Sequence, residues 1–352
     1  MNAIPSLQNE NPQIQRLAAQ RALYAQAKVL MNWQFLIAGP LTLAVGLATM
    51  FIGDLAVLGV VWVIGVLIAS HVYFEPKQER LRELAASIQE AFDCDVLELP
   101  WRSTRIADMP DAESVADAAR AYWTRGGDRA GLTDWYAPAV GQLPLHLARL
   151  VCQRQNCWWD GRLRRAYAMW LLVVLIGLLA VMVLLGWALG LTMAQLLIQG
   201  IVPLIPLLDL GRREYREQIR AAERVDELKR CSKQFWDAAL DGQAQERCAA
   251  DAREFQDAIF THRGSTQPVP DLLYDWLRER YNSGMNEGAA QWVQQARARL
   301  GERAADAKAA DGTSNPPPAD PTGHEGEREG ESVAGTVAKP SHGAAGRGTL
   351  EV

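Results

Sequence analysis

The chain has 352 residues, a formal net charge of −5 and 49% hydrophobic residues, averages that a soluble protein could share. The averages conceal a segregation: Trp33 to Phe74 carries one formal charge, Asp54, and Ala166 to Leu208 carries none. Small soluble domains do not partition charge this way, so a purely soluble protein is excluded.

A bilayer core about 30 Å thick takes about 20 helical residues to cross. Each apolar block is about twice that long and predicts two spans and a tight turn. The spans fall at about 33–53, 55–74, 167–189 and 192–208, turning near Gly53-Asp54 and Gly190-Leu191-Thr192. The competing reading, helices buried in a soluble core, fits poorly with two charge-poor blocks of this length. The first 32 residues are polar, with Arg16, Arg21 and Lys28. No small-residue cleavage site follows a short apolar core, so the first span is expected to stay in the mature protein.

Lys and Arg near the spans set the orientation. Arg21, Lys28, Lys77, Arg80, Arg82, Arg154, Arg162, Arg164, Arg165, Arg212, Arg213, Arg216 and Arg220 all lie in the long flanking segments, and the two short turns hold none. Both termini and the central segment are therefore expected in the cytoplasm.

In chain order, residues 1–32 form an N-terminal cytoplasmic segment, with a helix over 10–32 on which Leu17, Tyr24 and Met31 recur every seven residues. Transmembrane hairpin 1 occupies 33–74. Gly39, Gly46 and Gly53 on its first span allow close helix packing, within one subunit or between subunits. A cytoplasmic domain, 75–165, opens with a helix from Pro76 to about Phe92. Cys94 to Pro100 roughly alternates apolar and polar residues and predicts a short strand. Asp111 caps a second helix to about Trp123. A third runs from Leu143 to Gln155, and Asn156 to Arg165 continues into the third span.

Hairpin 2 occupies 166–208, with Gly186 and Gly190 four residues apart. Both hairpins run in the same sense, so any repeat is parallel, which counts against inverted-repeat transporters. The cytoplasmic helical region, 209–300, begins with one long helix, Gly211 to Leu240, lined on one side by Tyr215, Ile219, Ala222, Val225, Leu228 and Phe235. Helices at about 243–262 and 270–300 follow. Residues 301–352 contain no aromatic residue and are expected to be a disordered tail. The fold class is thus a mainly α membrane protein: four spans in two hairpins, a mostly helical cytoplasmic region with one short strand, and a disordered tail.

The five cysteines, Cys94, Cys152, Cys157, Cys231 and Cys248, all fall in predicted cytoplasmic segments and read as buried thiols. No metal site is expected, because Cys152 and Cys157 have four residues between them and no second pair. No phosphate-binding loop, dinucleotide fingerprint, zinc-protease motif or nucleophile elbow appears. No catalytic residue, enzymatic activity or cofactor is therefore assigned, and nothing points to nucleic acid as a partner.

Polar groups inside spans are costly and often functional. Thr192, Gln195, Gln199, Pro203 and Pro206 follow one another at steps of 3, 4, 4 and 3. Thr192, Gln195 and Gln199 are the candidate pore-lining residues, with Pro203 and Pro206 as a gate or kink. Thr192 and Gln195 also fit a capping box, and Gln199 could instead hydrogen-bond another helix. The proline bend could be static.

Aromatic side chains beside guanidinium groups are the candidate ligand residues: Trp101-Arg102, Trp135-Tyr136 and Arg154 near Trp158-Trp159. Trp158 and Trp159, with Arg162, Arg164 and Arg165, also fit an interfacial belt. Trp101 and Trp135 read as either core or ligand residues.

The residues then resemble a known family. The stretches are Ile4-Pro-Ser-Leu-Gln-Asn-Glu10, Leu17 to Tyr24, Phe92-Asp-Cys-Asp-Val-Leu-Glu-Leu-Pro-Trp101, Asp134-Trp-Tyr-Ala-Pro-Ala-Val140 with Leu143-Pro-Leu145, Cys152-Gln-Arg-Gln-Asn-Cys-Trp-Trp-Asp160, Arg212-Arg-Glu-Tyr215, Ile259-Phe-Thr-His-Arg263 and Pro268 to Tyr274. In order and layout they resemble the SMODS-associated four-transmembrane (S-4TM) effectors of bacterial cyclic-oligonucleotide-based anti-phage signalling (CBASS). The match spans about residues 4–300.

The resemblance implies an inner-membrane effector that binds a cyclic oligonucleotide made by a partner nucleotidyltransferase. It implies that the effector then oligomerises or opens and permeabilises the membrane. His262 and Arg263 join the candidate ligand residues from the matching stretch. The alternative is a membrane-anchored sensor or scaffold without a pore.

Topology is directly testable. Reporter fusions at Glu90 and at the C-terminus should be active only with a cytoplasmic reporter, and periplasmic activity at Glu90 would overturn the four-span reading.

Overall fold

In the computed structural model the described residues are 2–52, 55–103, 108–157, 160–269 and 288–305. The first turn, α1 (Ile4–Leu7), leads into α2 (Asn11–Leu36), a π-turn at Ile37–Leu41 and α3 (Thr42–Phe51). Pro40 sits inside that π-turn and has no N–H to donate. The hydroxyl of Thr42 donates to the Ile37 carbonyl at 2.8 Å and accepts from the indole of Trp62 at 2.9 Å. Trp62 lies on α4 (Ala56–Ala69), so the proline site is also where the first two apolar helices are tied. A second π-turn, Ser70–Phe74, joins α4 to α5 (Glu75–Val96).

Three helical stretches are long and apolar enough to cross a membrane: Asn11–Thr49, Val57–Val96 and one within Leu145–Ala188, whose apolar part is α8 (Asp160–Ala188). Val57, Val61, Ile64 and Ile68 on α4 and Val173, Ile176, Leu184 and Trp187 on α8 are exposed. A continuous apolar surface of that kind needs lipid or a partner. Exposed Trp170 and Trp187 sit near the two ends of the apolar part of α8, about 26 Å apart along the axis, the spacing expected of interfacial aromatics.

After α8 the chain reverses. Gly190 takes φ +67, Leu191 N–H bonds the Gly186 carbonyl at 3.0 Å, and Gly190 N–H bonds the Trp187 carbonyl at 3.0 Å. This is a helix stop that needs the left-handed conformation at the glycine. The return path is an interrupted helix: α9 (Met193–Gln195), a π-turn at Leu196–Ile201, a 3₁₀ turn at Val202–Leu204, then α10 (Ile205–Leu240). It packs back on α8, with Met182 and Leu204 buried together. A Cβ on Gly186 would come within 2.5 Å of Leu196, so this glycine serves packing within one subunit. Pro206 falls in the first turn of α10, where a missing N–H costs nothing.

The polar body is built on α5. α2 packs against α5 and α6 (Ala112–Thr124), and α11 (Gln245–Ser265) packs against α5, α7 (Leu145–Cys157) and α10. Asp111 caps α6 through the Ser114 N–H at 2.6 Å, as its sequence predicts. Ile14, Leu17, Ile88, Phe92, Val151 and Phe255 share one buried core. The N-terminal residues are stitched to segment 134–143. Asn2 donates to the carbonyls of Val140 and Leu143, Gln8 exchanges two hydrogen bonds with the Tyr136 backbone, and Asn9 exchanges two with Asp134.

Two expectations are corrected. There is no strand among the described residues. Cys94 to Val96 finish α5, and Glu98 takes φ +51 to close the helix through Leu99 N–H to the Cys94 carbonyl at 2.8 Å and Glu98 N–H to Asp95 at 3.4 Å. Arg149 then donates to the freed carbonyls of Leu97 and Glu98 at 2.6 Å each. Val96, Leu97 and Leu99 are all buried, so the apparent alternation marks a capped helix end, not a pleat. The predicted tail also begins too early, because residues 288–305 are helical and Arg303 donates to the Leu240 carbonyl at 3.2 Å. Residues 270–287 and 306–352 lie outside the described residues, as do Gly53, Asp54, Trp158 and Trp159.

The helices of the body converge on Arg253, 1% exposed. Its Nη2 donates to Glu90 at 2.6 Å and to Asp257 at 2.9 Å, Nε donates to Asp257 at 3.1 Å, and Nη1 reaches Cys94 Sγ and the Pro100 carbonyl, both at 3.1 Å. Gln256 donates to Glu90 and Asp93 at 2.7 and 2.9 Å, and Gln153 to Gln256 at 3.1 Å. Burial, with Asp93 close by, pushes the Glu90 carboxyl above its ordinary range. Removing one partner of such a network strands the others, at a cost of about 3–5 kcal/mol. Arg253→Met is therefore expected to lower the unfolding free energy of detergent-extracted protein by about that amount; a loss below about 1 kcal/mol would show the network is dispensable.

Candidate functional site

The residues singled out in sequence as ligand candidates are mostly committed to other partners within the fold. Tyr136 is buried and donates its hydroxyl to Asp93, and Asn156 donates to that hydroxyl at 3.1 Å. Arg263 pairs with the other oxygen of Asp93. Arg102, still partly exposed, pairs with Asp257 at 2.9 Å. Tyr136, Arg263 and Arg102 therefore meet in the network around Arg253.

Trp135 packs edge-on against Phe92 with ring centroids 6.4 Å apart, and the Arg21 guanidinium sits 5.7 Å from its ring. Trp101 packs on the core with its indole N–H unpartnered. Arg154 lies elsewhere, 3.8 Å from the ring of Trp292, which stacks on Trp236. These pairs engage most of the candidates from within the fold, while Arg263 Nη2 is left without an acceptor.

His262 belongs to a second chain of polar contacts. Its Nε2 lies 2.9 Å from Asp160, Asp160 accepts from Arg164 Nε at 2.6 Å, Arg164 Nη1 donates to Gln218 at 2.8 Å, and Gln218 donates to Glu214 at 2.8 Å. Burial pushes the Asp160 carboxyl up, but Arg164 and His262 together hold it below the usual carboxylate range. Burial lowers the His262 imidazole. The chain passes from α11 through α8 to α10, just past the returning apolar segment.

It ends at a cavity of about 390 Å³ where the apolar helices enter the body. Met31, Gln34 and Phe35 of α2, Glu75, Gln78, Glu79 and Arg82 of α5, and Leu210, Arg213, Glu214, Arg216 and Arg220 of α10 supply its walls. Gln78 donates to Gln34 at 2.8 Å and ties two of those walls. Arg213 pairs with Glu75 and Asp209, and Arg220 with Glu217. Arg82 is 6% exposed, and its Nε and Nη1 have no hydrogen-bond partner. Burial lowers the Arg82 guanidinium, with Glu79 and Glu214 opposing that shift. Burial raises Glu214 to about 7.

Sequence reasoning missed this cavity. Arg82, Arg213, Arg216 and Arg220 stood in the sequence as markers of membrane orientation. The usable signal was that positive charge clusters at the body end of two different spans together with Glu75, Glu79, Glu214 and Glu217.

In the returning segment, Thr192 and Gln195 form a capping box: the Gln195 N–H bonds the Thr192 hydroxyl at 3.3 Å, and the Thr192 N–H bonds the Gln195 side chain at 2.9 Å. Both are exposed. Gln199 lies in the π-turn and Pro203 in the 3₁₀ turn, and their side chains are outside the described residues. Four of the five cysteines are buried, and no cluster of three or more potential metal ligands occurs among the described residues.

Comparison with known proteins adds two findings. A family model described as the SMODS-associating 4TM effector domain matches residues 2–292. A protein of Bacillus cereus (strain VD146) named as a probable CBASS effector molecule is 25% identical over 199 residues. That alignment covers 56% of this chain and 65% of the relative, so the chain spans less than two thirds of its length. No solved structure matches the chain.

Glu214 gives a pH test. Its folded value stands above the ordinary 4.5, so the native state binds more protons than the unfolded state between about 4.5 and 7, and stability falls as pH rises through that window. Glu214→Gln should flatten the fall, by up to roughly 3 kcal/mol across the window, in detergent melts at a series of pH values. An unchanged slope would mean that this carboxyl is not withdrawn from water.

Proposed function

Because the chain belongs to the SMODS-associating 4TM effector family, we propose that it is an anti-phage effector of the bacterial inner membrane, carried there by four spans. In this reading both termini and the polar body are cytoplasmic. A cyclic oligonucleotide made by a partner nucleotidyltransferase binds the cytoplasmic part, and a homo-oligomer then permeabilises the membrane. The observation that carries the reading is the family match over residues 2–292 on a chain whose exposed apolar helices run without a break into a polar body. The chain of Lys and Arg along the body ends of the helices supports the orientation. The interrupted helix 193–208, packed on α8, supports the fourth span.

Thr192, Gln195 and Gln199 are the proposed pore-lining residues, with Pro203 and Pro206 at the gate. Support for placing a gate there is the change from π to 3₁₀ to α hydrogen bonding between Leu196 and Ile205, since such irregular turns concentrate at functional points of helices. Of the proposed ligand residues, Arg102 keeps exposed surface, whereas Tyr136 and Arg263 act through Asp93 as supports.

Purified protein in dye-loaded liposomes tests the proposal. Release should depend on an added cyclic oligonucleotide, and Gln199→Leu should reduce it while leaving ligand binding intact, because a ring of leucines dewets a narrow path. Nucleotide binding without release by the wild type would leave the sensor or scaffold reading. Full release by Gln199→Leu would remove Gln199 from the pore wall.

A further inference from the structure

We propose that the cavity at the root of the apolar helices is a binding site for a phosphate ester, with the guanidinium of Arg82 receiving its anionic oxygens. The site nearest the proposed gate would then be an anion site distinct from the network around Arg253. The argument begins with what is unsatisfied there. Arg82 is buried, and its Nε and Nη1 have no acceptor. A guanidinium withdrawn from water without partners is among the most costly groups a fold can hold. Glu79 and Glu214 are near enough to act on it through charge, yet neither makes a hydrogen bond to it. Gln34, on the facing helix, also has its amide N–H unpartnered, its oxygen being taken by Gln78. These open donors on two helices, set beside one open acceptor in the lining, Gln267 Oε1, favour a guest rich in acceptors.

Arginine's planar fork fits the tetrahedral oxygens of phosphate better than a point charge does. The cavity, at about 390 Å³, exceeds what a carboxylate side chain fills, and Met31, Phe35 and Leu210 give one side an apolar wall for the organic part of an ester. Four glutamates, Glu75, Glu79, Glu214 and Glu217, also line the space, and they set the selectivity. Glu75 and Glu217 are neutralised by Arg213 and Arg220. Glu79 and Glu214 face Arg82, while Arg216 brings a further exposed cation to the lining. The guest is therefore held by Arg82, Arg216 and Gln34.

Two sources share this chemistry: the headgroup of an anionic phospholipid, at the depth where the spans leave the bilayer, and a soluble cyclic dinucleotide. The proposal rests on the membrane reading above, but not on pore formation. The test uses the full chain in a phosphate-free maltoside detergent, with binding followed by the shift of intrinsic tryptophan melting. Phosphatidylglycerol, cyclic diadenylate and inorganic phosphate are titrated separately into wild type, Arg82→Gln and Arg216→Gln.

At least one ester should stabilise the wild type, with inorganic phosphate weaker. Arg82→Gln should lose about tenfold or more in apparent affinity, and Arg216→Gln a smaller factor. Stabilisation by phosphatidylglycerol alone assigns a lipid site, and by cyclic diadenylate alone a soluble-ligand site. If Arg82→Gln does not fold, the loss in Arg216→Gln, at an exposed position, decides. The proposal fails if neither ester stabilises the wild type, or if the folded variants bind as the wild type does. Cyclic-nucleotide binding unaffected by either variant would leave the gating proposal standing with its ligand elsewhere. Phosphatidylglycerol binding without any nucleotide-dependent release would do the reverse.

Discussion

A buried guanidinium is costly unless its N–H groups find acceptors, and around Arg253 the body of this protein supplies them. Its acceptors come from α5, from the segment after α5 and from α11 itself, parts of the chain separated by more than 150 residues. Satisfying Arg253 fixes the end of α5, because Pro100 and Cys94 must both face it. Fixing that end places Asp93, which then collects Tyr136, Gln256 and Arg263. Tyr136 in turn holds Gln8 and thereby the N-terminal segment. The stretches by which the sequence resembles its family are largely these contacts.

Membrane character was legible because lipid demands a simple pattern, long runs without charge, and Asp54 alone interrupts the two blocks. Caps were legible for the same reason: Asp111 and the Thr192–Gln195 pair satisfy neighbours three residues away. What depends on distant partners was not. Cys94 to Pro100 carried the alternation of a strand, yet the carbonyls of Leu97 and Glu98 that a strand would pair are taken up by Arg149, 52 and 51 residues later. Arg102, Tyr136 and Arg263 had the chemistry of a ligand site. Only the fold reveals that Asp93 and Asp257 pair with them. Arg82 was visible as a charge near a span, but nothing local distinguishes a cation left unpaired in a cavity from one anchoring a helix in water.

The two polar systems differ in what they leave over. Around Arg253 three carboxylates, Glu90, Asp93 and Asp257, meet three guanidiniums, Arg253, Arg263 and Arg102. Along the second chain, from His262 to Glu214, the last member is a carboxyl poised near neutrality beside a guanidinium with open donors. The first system is a closed account of charge and rigidifies the body. The second ends at a surplus, at the place where the body meets the spans.

The π-turns have a geometric consequence of their own. Each carries about one residue more per turn than the helix around it, and one residue corresponds to about 100° of rotation. The side chains of α2 and those of α3 are therefore out of phase across Ile37–Leu41, and the same holds for α4 and α5 across Ser70–Phe74. The turn works as an angular spacer. It lets one unbroken rod present the face the body requires at one end and a separately chosen face to its neighbours at the other. Deleting a single residue from it would leave both halves chemically intact while turning one against the other by more than a quarter of a circle.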